Sequence, residues 1–110
     1  MTEKLTKFGH TFQIKSLACL MSNQSFLEQI HDILDEKHYD SDSLKWIVKE
    51  SKKYFDEYRK CVTLDVFKVK TNEVENDVLK LSIVENLKEI FRYFDAPDLD
   101  FIEKRIIIWA

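Results

Sequence analysis

A chain of 110 residues that carries one glycine, Gly9, and one proline, Pro97, has few ways to turn sharply. Two-residue β-hairpins need residues at positive φ, which glycine adopts at little cost and most L-residues do not. A sheet built from several hairpins is therefore disfavoured, and helices joined by short polar turns are expected. The apolar share of 45% and charged share of 34% are those of an ordinary globular domain. At this length such a chain buries roughly two-thirds of its unfolded surface and needs no disulfide or metal to hold it together.

The spacing of apolar residues agrees. Ile14, Leu17, Ala18 and Met21 recur at i, i+3, i+4 and i+7, one face of a helix that should start near Thr11. The polar stretch Ser22 to Ser25 offers capping side chains for a second helix carrying Phe26, Leu27, Ile30, Ile33 and Leu34. Asp40 or Ser41 should cap a third, whose stripe runs Leu44, Ile47, Val48, Ser51, Phe55 and Tyr58. Thr63 should cap a short helix through Leu64, Val66 and Phe67, and Asn76 or Asp77 a long one with Leu79, Ile83, Leu87, Ile90 and Phe94. Pro97 cannot continue that ladder and restricts Ala96, so a last helix should begin at Asp98, with Leu99, Ile102, Ile106 and Trp109 in line. The expected fold is all-α, a compact bundle of five or six helices. Its core should contain Ile14, Leu17, Leu20, Phe26, Ile30, Ile33, Leu34, Leu44, Ile47, Val48, Phe55, Leu87 and Phe91.

Signals for chemistry are sparse. His10, His31 and His38 have no ligand spacing with one another or with Cys19 and Cys61. The two cysteines form no C-x-x-C and read as reduced thiols. Asp40 and Asp42 lack the glycine and closing glutamate of a calcium loop. With Gly9 alone, no glycine-rich phosphate loop is possible. The formal net charge of −3 gives no general attraction to nucleic acid. No apolar run approaches the roughly 20 residues of a membrane span, and the N-terminus has no apolar signal core. The chain therefore reads as a non-catalytic, cytoplasmic interaction or scaffold domain. It is expected to bind no cofactor and no metal, and to touch neither membrane nor nucleic acid directly.

Two surfaces stand out as candidate partner interfaces. Trp46 lies about 200° around the third helix from Leu44, among Lys45, Lys49, Lys52 and Lys53. Either a neighbouring element half-covers it, or Trp46, Lys49 and Lys53 form a docking face, since aromatics anchor interfaces. The second is the C-terminal stretch RIIIWA, where Ile107, Ile108 and Trp109 stand beside the last residue without a helix stop signal. Ile107 and Ile108 face away from the Leu99 stripe. The reading is a globular domain over residues 1–97, followed at 98–110 by the start of a truncated helical hairpin arm that would be covered by another chain or be disordered.

The stretch Phe12 to Ser51 resembles the beginning of the N-terminal domain of DnaB-type replicative helicases. Where that family has Glu-x-x-x-Leu-Gly in its first helix, this chain has Gln13, Leu17 and Ala18. Phe26 to Leu34 follows as the next apolar helix without a gap. Tyr39 matches an aromatic position, Leu44 replaces a frequent histidine, and Ile47 and Val48 match two apolar places. Thr63-Leu64 resembles the family's threonine cap. APDLDFIEKRII resembles its Ala-Asn-x-x-x-Tyr-x-x-x-Val segment, with Asp98, Ile102 and Ile106 at the asparagine, tyrosine and valine places. The likeness covers Phe12 to about Ile108, and the altered positions suggest a phage-like branch.

The resemblance implies a collar domain that works in ring assembly and docks a primase or a helicase loader in DNA replication, within a bacterial or phage-infected cell. ATP and magnesium would belong to a separate C-terminal domain of an ATP-dependent DNA-unwinding enzyme, so this chain alone would not be an enzyme. Self-association, as a dimer or hexameric ring, is implied as well. The alternative is a standalone small helical regulatory or protein-interaction protein.

Overall fold

The computed structural model describes residues 5–109. Six α-helices follow one another: α1 (His10–Ser22), α2 (Gln24–Ile30), α3 (Asp42–Tyr58), α4 (Leu64–Asn72), α5 (Asp77–Arg92) and α6 (Leu99–Trp109). Single 3₁₀ turns lie at Leu5–Phe8 and Glu36–His38, and no strand occurs among the described residues.

The starts are set by side chains that satisfy otherwise orphaned backbone donors. Asn23 accepts from the Phe26 N–H at 3.2 Å, Ser41 from Leu44 at 3.2 Å, Thr63 from Val66 at 3.3 Å and Asn76 from Leu79 at 3.0 Å. The one glycine sits directly before α1 with φ of 93°, where its missing Cβ matters. After α3 the chain reverses through Arg59 at φ 57°, a left-handed position held by a non-glycine residue. The Arg59 N–H closes the helix on the Phe55 carbonyl, and its guanidinium lies 5.3 Å from the Phe55 ring centre.

α1 is the centre of the bundle. It packs against α2, α3, α5, α6 and the Leu5–Phe8 turn, and Ile14, Leu17, Ala18 and Cys19 are fully buried. One continuous core joins these to Phe26 and Ile30 of α2, Leu44, Ile47 and Val48 of α3, Ile83 and Ile90 of α5, and Ile102 and Ile106 of α6. Polar residues of α1 are used internally. The Gln13 amide donates to the Gly9 carbonyl and to Asp40 Oδ2, while its Oε1 accepts from the Asp40 N–H. Ser16 Oγ donates to the Gln13 carbonyl at 2.6 Å and lies 2.8 Å from the hydroxyl of the fully buried Tyr39.

Several expectations change. α2 ends at Ile30, so Ile33 falls in a turn and is 44% exposed, although Leu34 is buried. Tyr58 is the last residue of α3 and 54% exposed, because the chain turns away at Arg59; it stacks on Tyr54 at 4.6 Å. Phe91 and Phe94 are only half-buried. The boundary drawn between residues 97 and 98 does not separate two packing units. α6 lies along α1, with Ile102 and Ile106 in the common core. Lys15 Nζ binds Asp98 Oδ2 at 2.7 Å, and the Asn23 amide binds both Glu103 carboxylate oxygens at 3.1 Å.

Candidate partner-docking surfaces

Trp46 projects from the side of α3 opposite Leu44, and that side is covered. α4 brings Phe67 against it, with ring centres 6.0 Å apart and planes tilted by 43°. Trp46 is half-buried, and Phe67 is fully buried. α3 therefore carries a second apolar contact that a single stripe from Leu44 does not reveal. Beneath the tryptophan, Glu50 ties the two helices together. Its carboxylate accepts from Lys70 Nζ of α4 at 3.0 Å and lies 3.6 Å from Lys53 Nζ, which is itself 62% exposed.

Trp46 and Lys53 line the same cavity of about 430 Å³, walled also by Glu50, Lys70, Glu73 and Val74. Lys49 is exposed and joins Lys53 around a different hollow of about 460 Å³, with Asp35, Glu36, Lys37, Lys52 and Asp56. Acids and bases alternate across both, so the lysines do not make a single-sign basic patch. On α6, Ile107 is 37% and Ile108 72% exposed, and Phe101 is 64% exposed on the same helix. These apolar groups are the solvent face of a helix whose other face is core. Trp109 belongs to α6, but its side chain lies outside the described residues, as does Ala110.

A hollow that the sequence reading did not anticipate lies between α4 and α5. It is an open trough of about 580 Å³ with an apolar floor of Leu64, Val84, Leu87 and Phe91. Lys68 of α4 and Lys88 of α5 stand on its two rims. The available signal was Leu64 and Val84, apolar residues off the main stripes. Leu64 is 42% exposed, and Leu81, one turn before Val84, is 63% exposed.

Burial shifts four titratable groups inside the bundle toward their neutral forms. Burial, reinforced by Glu103 nearby, pushes the Cys19 thiol well above its ordinary range; the thiol donates to the Leu99 carbonyl at 3.7 Å. Burial and Glu28 raise Cys61, which donates to the Leu20 carbonyl. A thiol shifted upward is a poor nucleophile at neutral pH. Tyr39 is shifted upward by burial as well, and His38 downward. Among the described residues, no group of three His, Cys, Asp or Glu side chains is arranged to hold a metal ion. No helix there is long and apolar enough to cross a membrane. Set against protein-family models, characterised proteins and solved structures, the chain matches none of them.

Proposed function

We propose that this chain is the collar domain of a DnaB-type replicative helicase, a part that assembles the ring and docks a primase or loader while a separate domain hydrolyses ATP. The observation that supports the reading is that the residues at the positions aligned with that family have structural work in this fold. Leu17 and Tyr39 are fully buried, Ile47 and Val48 are core, Thr63 caps α4, and Ile102 and Ile106 seat α6 on α1. A departure also has a physical account. Gln13 replaces the family's glutamate, and its amide donates to the carboxylate of Asp40, which a second carboxylate could not do.

In this reading Ile107, Ile108 and Trp109 extend a face toward a neighbouring subunit, and Trp46, Lys49 and Lys53 belong to a face for primase or loader. Since α6 is part of the core, deleting residues 98–110 would damage the fold itself. Substituting Ile108 by Asp leaves the core alone and should lower self-association measured by sedimentation. The decisive test is the gene beyond codon 110. A GxxxxGK[ST] segment within the next few hundred codons is expected, and the protein containing it should unwind forked DNA with ATP. A stop codon directly after Ala110 would favour the small regulatory protein and end the helicase proposal.

A further inference from the structure

The trough between α4 and α5 has walls, a floor and charged rims, and none of the described residues fills it. Its floor is apolar, through Leu64, Val84, Leu87 and Phe91, and its volume of about 580 Å³ is in the range of recognition sites rather than packing flaws. Lys68 and Lys88 stand on opposite rims, both exposed, and neither forms an ion pair among the described residues. Asp65, Glu85 and Glu89, acids beside these lysines on the same helices, do not line it. The rims are therefore positive while the chain as a whole carries −3. Thr71 forms part of the wall; it is 4% exposed, and its hydroxyl has no hydrogen-bond partner.

We infer that the trough between α4 and α5 receives an amphipathic helix of another protein, with apolar anchors on one face and acidic residues flanking them. A groove bordered by the side chains of two packed helices accepts a third helix by ridge-into-groove packing. α4 has nine residues, about 13.5 Å at 1.5 Å per residue, so about two and a half turns of the partner are engaged. Anchors at i, i+3 or i+4, and i+7 would meet Leu64, Val84, Leu87 and Phe91, the usual reading of helix-in-groove recognition. Carboxylates beside them would answer Lys68 and Lys88. The exposed apolar face of α6 in a second copy, at Phe101 and Ile108, is a poorer occupant, because it carries Lys104 and Arg105, of the same sign as the rims. The inference does not rest on the helicase proposal, since any partner with that chemistry satisfies it.

The test uses the whole chain and synthetic fluorescein-labelled helical peptides of 14 residues. One has leucines at i, i+3 and i+7 flanked by glutamates; the other replaces those glutamates with lysines. Fluorescence anisotropy should show the glutamate peptide binding at least tenfold more tightly than the lysine peptide. The exposed double substitution Lys68→Glu with Lys88→Glu should reverse that preference. Val84→Asp should weaken the glutamate peptide by tenfold or more, with unchanged far-UV circular dichroism confirming the fold. Equal affinity for both peptides, or no effect of the double substitution, overturns the inference. So does a sedimenting dimer that Lys88→Glu dissociates, which would assign the trough to a second copy. Saturable binding of dodecanoate with no binding of the glutamate peptide would assign it to a small amphiphile and equally refute the helix.

Discussion

In α1, eight of thirteen residues are buried; in α4, only two of nine are, Phe67 and Thr71. Both are regular helices, yet they stand in opposite relations to the core. α1 is enclosed by α2, α3, α5 and α6, so even its polar residues Gln13 and Ser16 are inside and must be satisfied by Gly9, Asp40 and Tyr39. α4 rests on α3 and α5 from outside, held by one aromatic anchor and by Lys70 on Glu50. The difference teaches where a bundle of this size has material to spare. The enclosed helix fixes the fold, and the outlying one leaves Leu64 half-exposed and a trough beside it.

The largest effect should come from the enclosed helix. Leu17→Ala should lower unfolding free energy by about 3–5 kcal/mol, since a fully buried leucine surrounded on all sides leaves a cavity that cannot collapse. Hydrogen exchange should then lose protection in all six helices together. Phe67→Ala should cost about 3 kcal/mol, but locally, with exchange rising in α4 and at Trp46 before it rises in α1. Equal loss of protection everywhere would break the contrast and make the two regions one cooperative unit.

Trp46→Ala should cost less, about 1–2 kcal/mol, because the ring is half-buried and supported mainly by Phe67. A loss as large as that of Leu17→Ala would place Trp46 in the core proper. Thr71→Val should raise stability by about 1 kcal/mol, because it removes a buried hydroxyl without a partner and keeps the shape. Chemical denaturation measures both.

The smallest effect concerns pH. His38 is buried at the 3₁₀ turn before α3, and its Nδ1 accepts from the Asp35 N–H, which only an unprotonated nitrogen can do. Burial lowers its pKa below the usual histidine value. The unfolded state then binds the proton more readily than the folded state. Stability is fully present above the unfolded pKa near 6.5 and is lost as pH falls through the folded value. The urea midpoint should drop between pH 7.5 and 5.5, and less so in His38→Asn. An identical drop in both proteins would remove His38 from the account.

Much of the fold was legible because the signals were local. Thr63 serves as the cap expected of it, and of the paired candidates Asp40 or Ser41 and Asn76 or Asp77 it is Ser41 and Asn76 that cap, since an N-cap depends on residues two or three positions away. The stripes of α1 and α3 were legible because the period of a helix is fixed by its hydrogen bonds. Two of the misplaced residues, Ile33 and Tyr58, lie past or at the end of their helices. Ile33 kept the spacing of α2 after its backbone had turned, and Tyr58 kept that of α3 up to the reversal at Arg59. Nothing in the sequence announces Arg59, since left-handed reversals are signalled by glycine and the one glycine is elsewhere. The candidate surfaces were less legible. Trp46 was recognisable as off-stripe, but that Phe67 would cover it is a fact about α3 and α4 together.

The sequence by itself determined that this chain is helical, where most of its helices begin, and which residues of α1, α2 and α3 leave water. Those properties follow from short-range hydrogen bonding, capping and the removal of apolar surface, and each can be read within a few turns of chain. Tertiary structure decided that α6 lies on α1 with Ile102 and Ile106 in the common core, while Ile107 and Ile108 face out. It also decided that α4 covers one face of α3 and leaves a trough against α5. Those outcomes depend on which helix flank meets which across tens of residues, and an apolar stripe states only that it needs a neighbour, not which one.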